Sequence, residues 1–195
     1  MSTPLLHRFL QGTWLMLPII VAGLIHIAVI KLDWLRALAR CPLDGRRTFR
    51  GRRLFGDNKT LRGALVMTGA SALAALLLCH ATDSFAAAPA VSPLQVGQPA
   101  LWGFLLGAGY IAGELPNSLI KRQFGIAPGA AAPGGPKALY WVFDQLDSVA
   151  GGLLVLSIIW RPDAVLVAIV AALALLLHPL MAAFMVALGL KERIG

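Results

Sequence analysis

The sequence predicts an all-α integral membrane protein of about five transmembrane helices, with the N-terminus outside and the C-terminus cytoplasmic. Three observations carry this. The 195 residues are 58% hydrophobic and 13% charged, with a mean hydropathy of +0.76. An ordinary soluble domain has about 25% charged residues, so this chain cannot cover a water-facing surface. Five stretches approach the roughly 20 apolar residues that a helix needs to cross a bilayer. The basic residues are concentrated between the first two stretches. Together these exclude a soluble enzyme, a disordered chain and a disulfide scaffold, and residues 1–195 read as a single membrane domain.

The predicted spans are 9–30, 63–82, 99–120, 138–160 and 164–190. The first two contain no Asp, Glu, Lys or Arg. The first is too long for a signal-peptide core, and its basic charge follows it instead of preceding it; it reads as a retained helix. The third span contains Glu114, and the fourth contains Asp144 and Asp147. The fifth is interrupted only by His178 and Pro179. Pro18, Pro116 and Pro179 read as tolerable kinks. Gly103 with Gly107 and Gly109 with Gly113 give small-xxx-small spacings, the pattern of close helix packing. Trp14, Trp102, Trp141 and Trp160 lie near span ends, where interfacial Trp is expected. His26 and His178 read as satisfied interior residues. Cys41 and Cys79 are too few and too far apart in kind of environment for a disulfide or a metal framework.

Orientation follows the bias of Lys and Arg toward the cytoplasm. The loop 31–62 carries ten basic residues and three acids out of a net charge of +8. With this loop, loop 121–137 and the C-terminal Lys191 and Arg193 inside, fifteen basic residues are cytoplasmic and two, Arg8 and Arg161, are outside. The expected location is the cell (inner) membrane, multi-pass, with the active site facing the cytoplasm. The outer loop 83–98 reads as a plain connector. The inner segment 123–136, rich in Gly and Pro, reads equally as a gate or a passive linker.

Charges inside spans are costly and point to function. Asp144, Asp147, Ser148 and Gly151 share one helix face, and so do Glu114, Asn117, Ser118 and Lys121. Two carboxylates one turn apart suit Mg²⁺, a hard ion that takes oxygen ligands. A proton-sensing pair, or acids neutralised by Lys121 and Arg122, fits the same spacing. Within the basic loop, Phe55-Gly56-Asp57-Asn58-Lys59-Thr60-Leu61-Arg62-Gly63 places Gly56, Lys59, Thr60 and Arg62 where the second span begins. A helix N-terminus with nearby cations is a natural phosphate site. The stretch also fits a basic membrane-surface loop with Asp57 or Asn58 as the helix cap. Its place between two spans favours anionic headgroups or a polyphosphate over nucleic acid, and no nucleic-acid partner is expected.

These residues resemble the CDP-archaeol synthases. Arg47-Thr48-Phe49-Arg50-Gly51-Arg52-Arg53 followed by Phe55 to Gly63 looks like the first cytoplasmic loop of that family. Gly113-Glu114-Leu115 through Ser118-Leu119-Ile120-Lys121-Arg122 is the second match, and Phe143-Asp144-Gln145-Leu146-Asp147 the third. Phosphatidate cytidylyltransferases have a related Lys-Arg followed by Asp-Arg-x-Asp. Here Asn58 stands where Gly is usual, Leu61 where Trp is usual, and Glu114 where Asp is common. The resemblance implies a nucleotidyltransferase that moves CMP from CTP to a lipid phosphate with Mg²⁺, releasing pyrophosphate. Its expected partners are CTP, a membrane lipid phosphate and the bilayer. It implies Asp144, Asp147, Glu114 and Lys121 as catalytic residues, with Asp144, Asp147 and Glu114 on the metal. CTP or phosphate would be held by Gly56, Asp57, Lys59, Thr60, Arg62 and Arg122. The rival readings are a phosphatidate cytidylyltransferase making CDP-diacylglycerol, a small cation transporter, and a lipid-binding subunit without activity.

Overall fold

In the computed structural model, residues 4–83, 98–128 and 137–190 are described, with backbone alone at 4, 82–83 and 137–140. The connector 84–97 and most of the Gly- and Pro-rich segment lie outside the described residues. Five long helices follow one another: α1 (Pro4–Lys31), α3 (Leu61–Asp83), α4 (Pro99–Gln123), α5 (Lys137–Leu156) and α6 (Ala164–Ala187). A short helix, α2 (Arg36–Ala39), and two short strands, β1 (Thr48–Phe49) and β2 (Arg52–Arg53), fill the basic loop. The described residues are therefore mostly helical, with six helices and a small hairpin, and the all-α expectation misses that hairpin.

Among the described residues, three helices, α1, α3 and α6, are long and apolar enough to cross a membrane, with mean hydropathies of 2.3, 1.8 and 2.6. Helices α4 and α5 form where the third and fourth spans were expected. They carry the interior charges Glu114, Asp144 and Asp147. At about 1.5 Å per residue, each is long enough for the hydrocarbon core, about 30 Å.

Helix ends differ from the predicted ones by several residues, for local reasons. Pro4 begins α1 ahead of residue 9; proline suits a first turn because its missing N–H had no partner there. Helix α5 stops at Leu156, not 160. Beyond it, Ile158 and Ile159 donate to the carbonyls three residues back, a tightened turn before Pro162. Gly189, with φ of +70°, ends α6 at Ala187, not 190. Its N–H reaches Val186 O at 2.9 Å and the next N–H reaches Met185 O at 2.9 Å, a Schellman stop. Gly125 does the same for α4, with bonds to the carbonyls of Arg122 and Lys121 at 3.0 Å.

The helices alternate in direction. Arg8, near the start of α1, pairs with Asp163 at the start of α6 at 2.7 Å. At the other end, Lys31 Nζ donates to Leu188 O at 2.7 Å. So α1 and α6 run parallel, with α3 and α5 antiparallel to α4. Asp163 also caps α6, accepting from Leu166 N at 2.9 Å.

Trp14 and Trp102 are 4% and 0% exposed, with ring centroids 5.2 Å apart. They are core residues and not interfacial ones; Ala75, Leu106, Leu166 and Val170 close around them. Hydropathy near a span end does not reveal which face the ring occupies. Many of the exposed large side chains, such as Leu73, Leu77, Leu154 and Leu176, are apolar, as a lipid-facing surface requires. Cys41 and Cys79 are not bonded to each other.

The glycine spacings work as expected. At Gly103, an added Cβ would lie 2.5 Å from Ala75 Cβ; at Gly107 it would lie 3.0 Å from Ser71 Cβ. That face packs on α3. Gly109 and Gly113 meet α5 instead: a Cβ on Gly109 would sit 2.6 Å from Gly151 O, and one on Gly113 would clash with Asp147 O. The backbones of α4 and α5 touch, and this contact sets the site.

Candidate active site

Because Gly113 and Gly151 bring α4 against α5, the two polar helix faces read from the sequence face each other. Asn117 Nδ2 donates to Asp144 Oδ1 and to Asp147 Oδ2, each at 2.7 Å. Lys121 Nζ lies 2.5 Å from Asp144. Ser148, buried, places its Oγ 3.0 Å from Glu114 Oε1 and 2.9 Å from Asp147 Oδ1. Its single hydroxyl proton serves one of these at a time. The second oxygen of Glu114 pairs with Lys59. The basic loop, α4 and α5 thus meet at one cluster of two lysines, three carboxylates, an amide and a hydroxyl.

Lys59 reaches Glu114 because the basic loop is folded. Its anchor is Asp44, 4% exposed within an arginine-rich segment. Arg53 forks onto both Asp44 oxygens, at 3.1 and 2.7 Å. The backbone N–H groups of Arg46, Phe55 and Gly56 donate to the same carboxylate at 2.9, 3.1 and 3.2 Å. Burial pushes the Asp44 carboxyl up, but Arg53 and the three N–H groups outweigh it and hold it well below the usual carboxylate range. Arg53 is raised in turn, and it also holds Asp57 at 2.7 Å. β1 and β2 join through Arg50 and Gly51, both at positive φ, the geometry of a two-residue type I′ turn.

The hairpin docks on the C-terminal end of α4. Arg52 Nη1 donates to Gln123 O, and Gln123 Nε2 donates to Arg53 O at 3.4 Å. A cation on the last carbonyls of a helix is favourable. Gly56, at φ of +97°, sits where a Cβ would lie 3.0 Å from Pro128 Cγ and 3.4 Å from Arg122 Nη1.

Of the expected site residues, Lys59, Glu114, Lys121, Asp144 and Asp147 come together. Gly56 and Arg122 lie beside each other. Arg122 is buried, donates from Nη2 to Ala127 O at 3.1 Å, and leaves Nε and Nη1 without a partner among the described residues. Thr60 caps α3: its Oγ1 accepts from Gly63 N at 3.3 Å. The cap is therefore Thr60, and not Asp57 or Asn58. Asp57 is exposed on the hairpin side. Arg62 turns away, toward Trp34 O at 3.4 Å and Asp33 at 3.6 Å. Among the described residues, no three His, Cys, Asp or Glu side chains converge closely enough to hold a metal ion. Asp144 and Asp147 remain a two-carboxylate set, while Glu114 is engaged by Lys59 and Ser148. Asn117 and Ser148, placed on the polar faces but given no role, hold the carboxylates together, and Asp44 was not singled out at all. An acid inside a basic run was the available signal for Asp44.

The molecule is thus a helical membrane protein with a cation–carboxylate cluster where two helices meet inside the bundle. The CarS-like, CDP-archaeol synthase family model matches residues 5–194. A CDP-archaeol synthase of Methanopyrus kandleri is 34% identical over 93% of this chain and 91% of its own length. One of Aeropyrum pernix is 32% identical over 96% and 92%. A solved structure, described as an intramembrane enzyme for archaeal membrane lipids biosynthesis, superposes with a TM-score of 0.58. It is 29% identical, and the match covers 85% of this chain and 88% of that one. The chain belongs to the CDP-archaeol synthase family. It is thereby an intramembrane enzyme, a CTP-dependent cytidylyltransferase of membrane lipid biosynthesis.

Proposed function

We propose that the chain transfers CMP from CTP to the phosphate of an isoprenoid ether lipid, at the cluster between α4 and α5. The observation that carries this is the convergence of Lys59 and Lys121 with Asp144, Asp147 and Asn117 beside the N-terminus of α3. A lipid phosphate oxygen forms the new bond to the α-phosphorus of CTP, and the bond from that phosphorus to the bridging oxygen of pyrophosphate breaks. The acceptor is already ionised, so no general base is required. Lys59, Thr60 and Arg122, with the Gly56 backbone, are suited to the triphosphate, and Lys121 to either phosphate. Asp57 and Arg62 belong to the frame of that loop.

Mg²⁺ fits the donor set, since it takes one or two carboxylates with phosphate oxygens and water. Asp144 and Asp147 would hold it, with Glu114 as a neighbouring partner through Ser148. When bound, it supplies neutralisation of the transferring phosphoryl group and the leaving pyrophosphate. Asn117 holds both carboxylates in one geometry from the facing helix.

Helices α4 and α5 complete a five-span bundle in this reading, lying in the inner membrane. The alternating helix directions put the basic loop, Lys121 and Arg122 at one face, and the charge bias makes that face cytoplasmic. CTP then enters from water while the lipid enters from the bilayer.

The test is turnover by the purified protein in detergent with Mg²⁺. A digeranylgeranyl glycerol phosphate and phosphatidate are offered separately. The ether lipid is expected to be the better acceptor, and Asp144→Asn or Asp147→Asn to abolish transfer in an inserted, folded protein. Preferred use of phosphatidate would overturn the acceptor, and near-normal turnover in both variants would overturn the metal assignment.

A further inference from the structure

The arginines of the basic loop divide into two sets. Arg36, Arg52, Arg53 and Arg62 are tied to carboxylates or carbonyls. Arg40, Arg46, Arg47 and Arg50 are exposed and have no ion-pair partner among the described residues. Beside them stand apolar side chains in the open: Trp34 is 60% exposed and Phe49 52%, with Leu32 and Leu35 close to the same values. Arg50 lies over the Phe49 ring, 5.3 Å from its centroid. Trp34 follows the last residue of α1 by three positions, and its carbonyl is bound by Arg62 in the first turn of α3. It therefore sits level with the ends of two membrane helices, the depth at which Trp rings meet headgroups. Leu35 and Arg50 both hold positive φ, at 54° and 50°, so the frame fixes this surface at a cost in backbone strain.

We propose that the outer face of 32–53 is a docking surface for anionic lipid headgroups. The free arginines meet lipid phosphates while Trp34, Leu35 and Phe49 enter the interface. Cations alone would serve a soluble nucleotide equally well. Cations interleaved with exposed apolar side chains at helix-end level fit a charged bilayer surface. The same hairpin carries Arg52 and Arg53, so lipid charge reaches the segment that positions Lys59.

The test is hydrogen exchange of the full chain in nanodiscs of zwitterionic or anionic phospholipid. Each arginine near such a surface contributes about five-fold to the attraction. Exchange over 45–53 is expected to slow by on the order of ten-fold or more in the anionic discs. High salt should reverse the effect, and so should the combined Arg46→Ser, Arg47→Ser and Arg50→Ser variant. Equal exchange in both discs would overturn the proposal. So would slowing by CTP in zwitterionic discs without any effect of lipid charge, which would assign the arginines to free nucleotide. The readout is exchange and not CMP transfer, so failure here is separable from failure of the proposed activity.

Discussion

Asn117 is the residue on which the carboxylate pair depends. Its amide bridges Asp144 and Asp147 from another helix. Asn117→Ala is expected to reduce turnover by about 10–100-fold, the usual effect of removing a group that orients ligands, with chromatographic behaviour in detergent unchanged. Asp44 is the equivalent for the basic loop. Its carboxyl is held below the ordinary range in the folded chain, so its contribution is complete at neutral pH. That contribution falls away as pH drops through and below about 4. Asp44→Asn at neutral pH should therefore expose Arg46 to Arg53 to trypsin several times faster than in the parent. Unchanged cleavage would show that the hairpin has another anchor. Residues such as Asp144 and Glu114 were legible in the sequence because a charge in a span stands out. Asp44 stood out only as an acid inside a basic run, and its burial is visible only once the loop is folded.

At the scale of the element, glycine contacts fix the distance between α4 and α5. Gly151→Ala should force the helices apart, since its Cβ would meet Gly109 O and lie 2.5 Å from Gly113 Cα. Overpacking of this kind costs about 1–3 kcal/mol, read as a lower unfolding temperature together with lost turnover. Gly69→Ala, where nothing lies within 4 Å, should be neutral or stabilise by up to about 1 kcal/mol. A second element contact is the bond of Tyr110 Oη to His178 Nε2 at 2.9 Å, which ties α4 to α6. Tyr110→Phe should cost about 1–3 kcal/mol by leaving the imidazole unsatisfied. The double change with His178→Phe should recover part of that loss in a thermal-unfolding cycle. Spacing alone predicted both small-residue faces. It did not predict that one face meets α3 and the other α5, because partner choice depends on the whole bundle.

For the whole molecule, hydropathy revealed the five long helices, and charge bias suggested how they lie. The folded basic loop was hidden, since its order comes from a few arginine contacts to Asp44 and Gln123 and not from a periodic pattern. That loop brings Lys59 to the helix cluster and so makes one site from segments far apart in the chain. Movement of CMP at this site is open to a direct test. CTP labelled at its α-phosphorus, and separately at its γ-phosphorus, would be given to the purified protein with lipid phosphate and Mg²⁺. The α-label is expected in the lipid and the γ-label in released pyrophosphate, both lost in Asp144→Asn. Label from the γ-position in the lipid, or none from either position with a folded protein, would contradict CMP transfer.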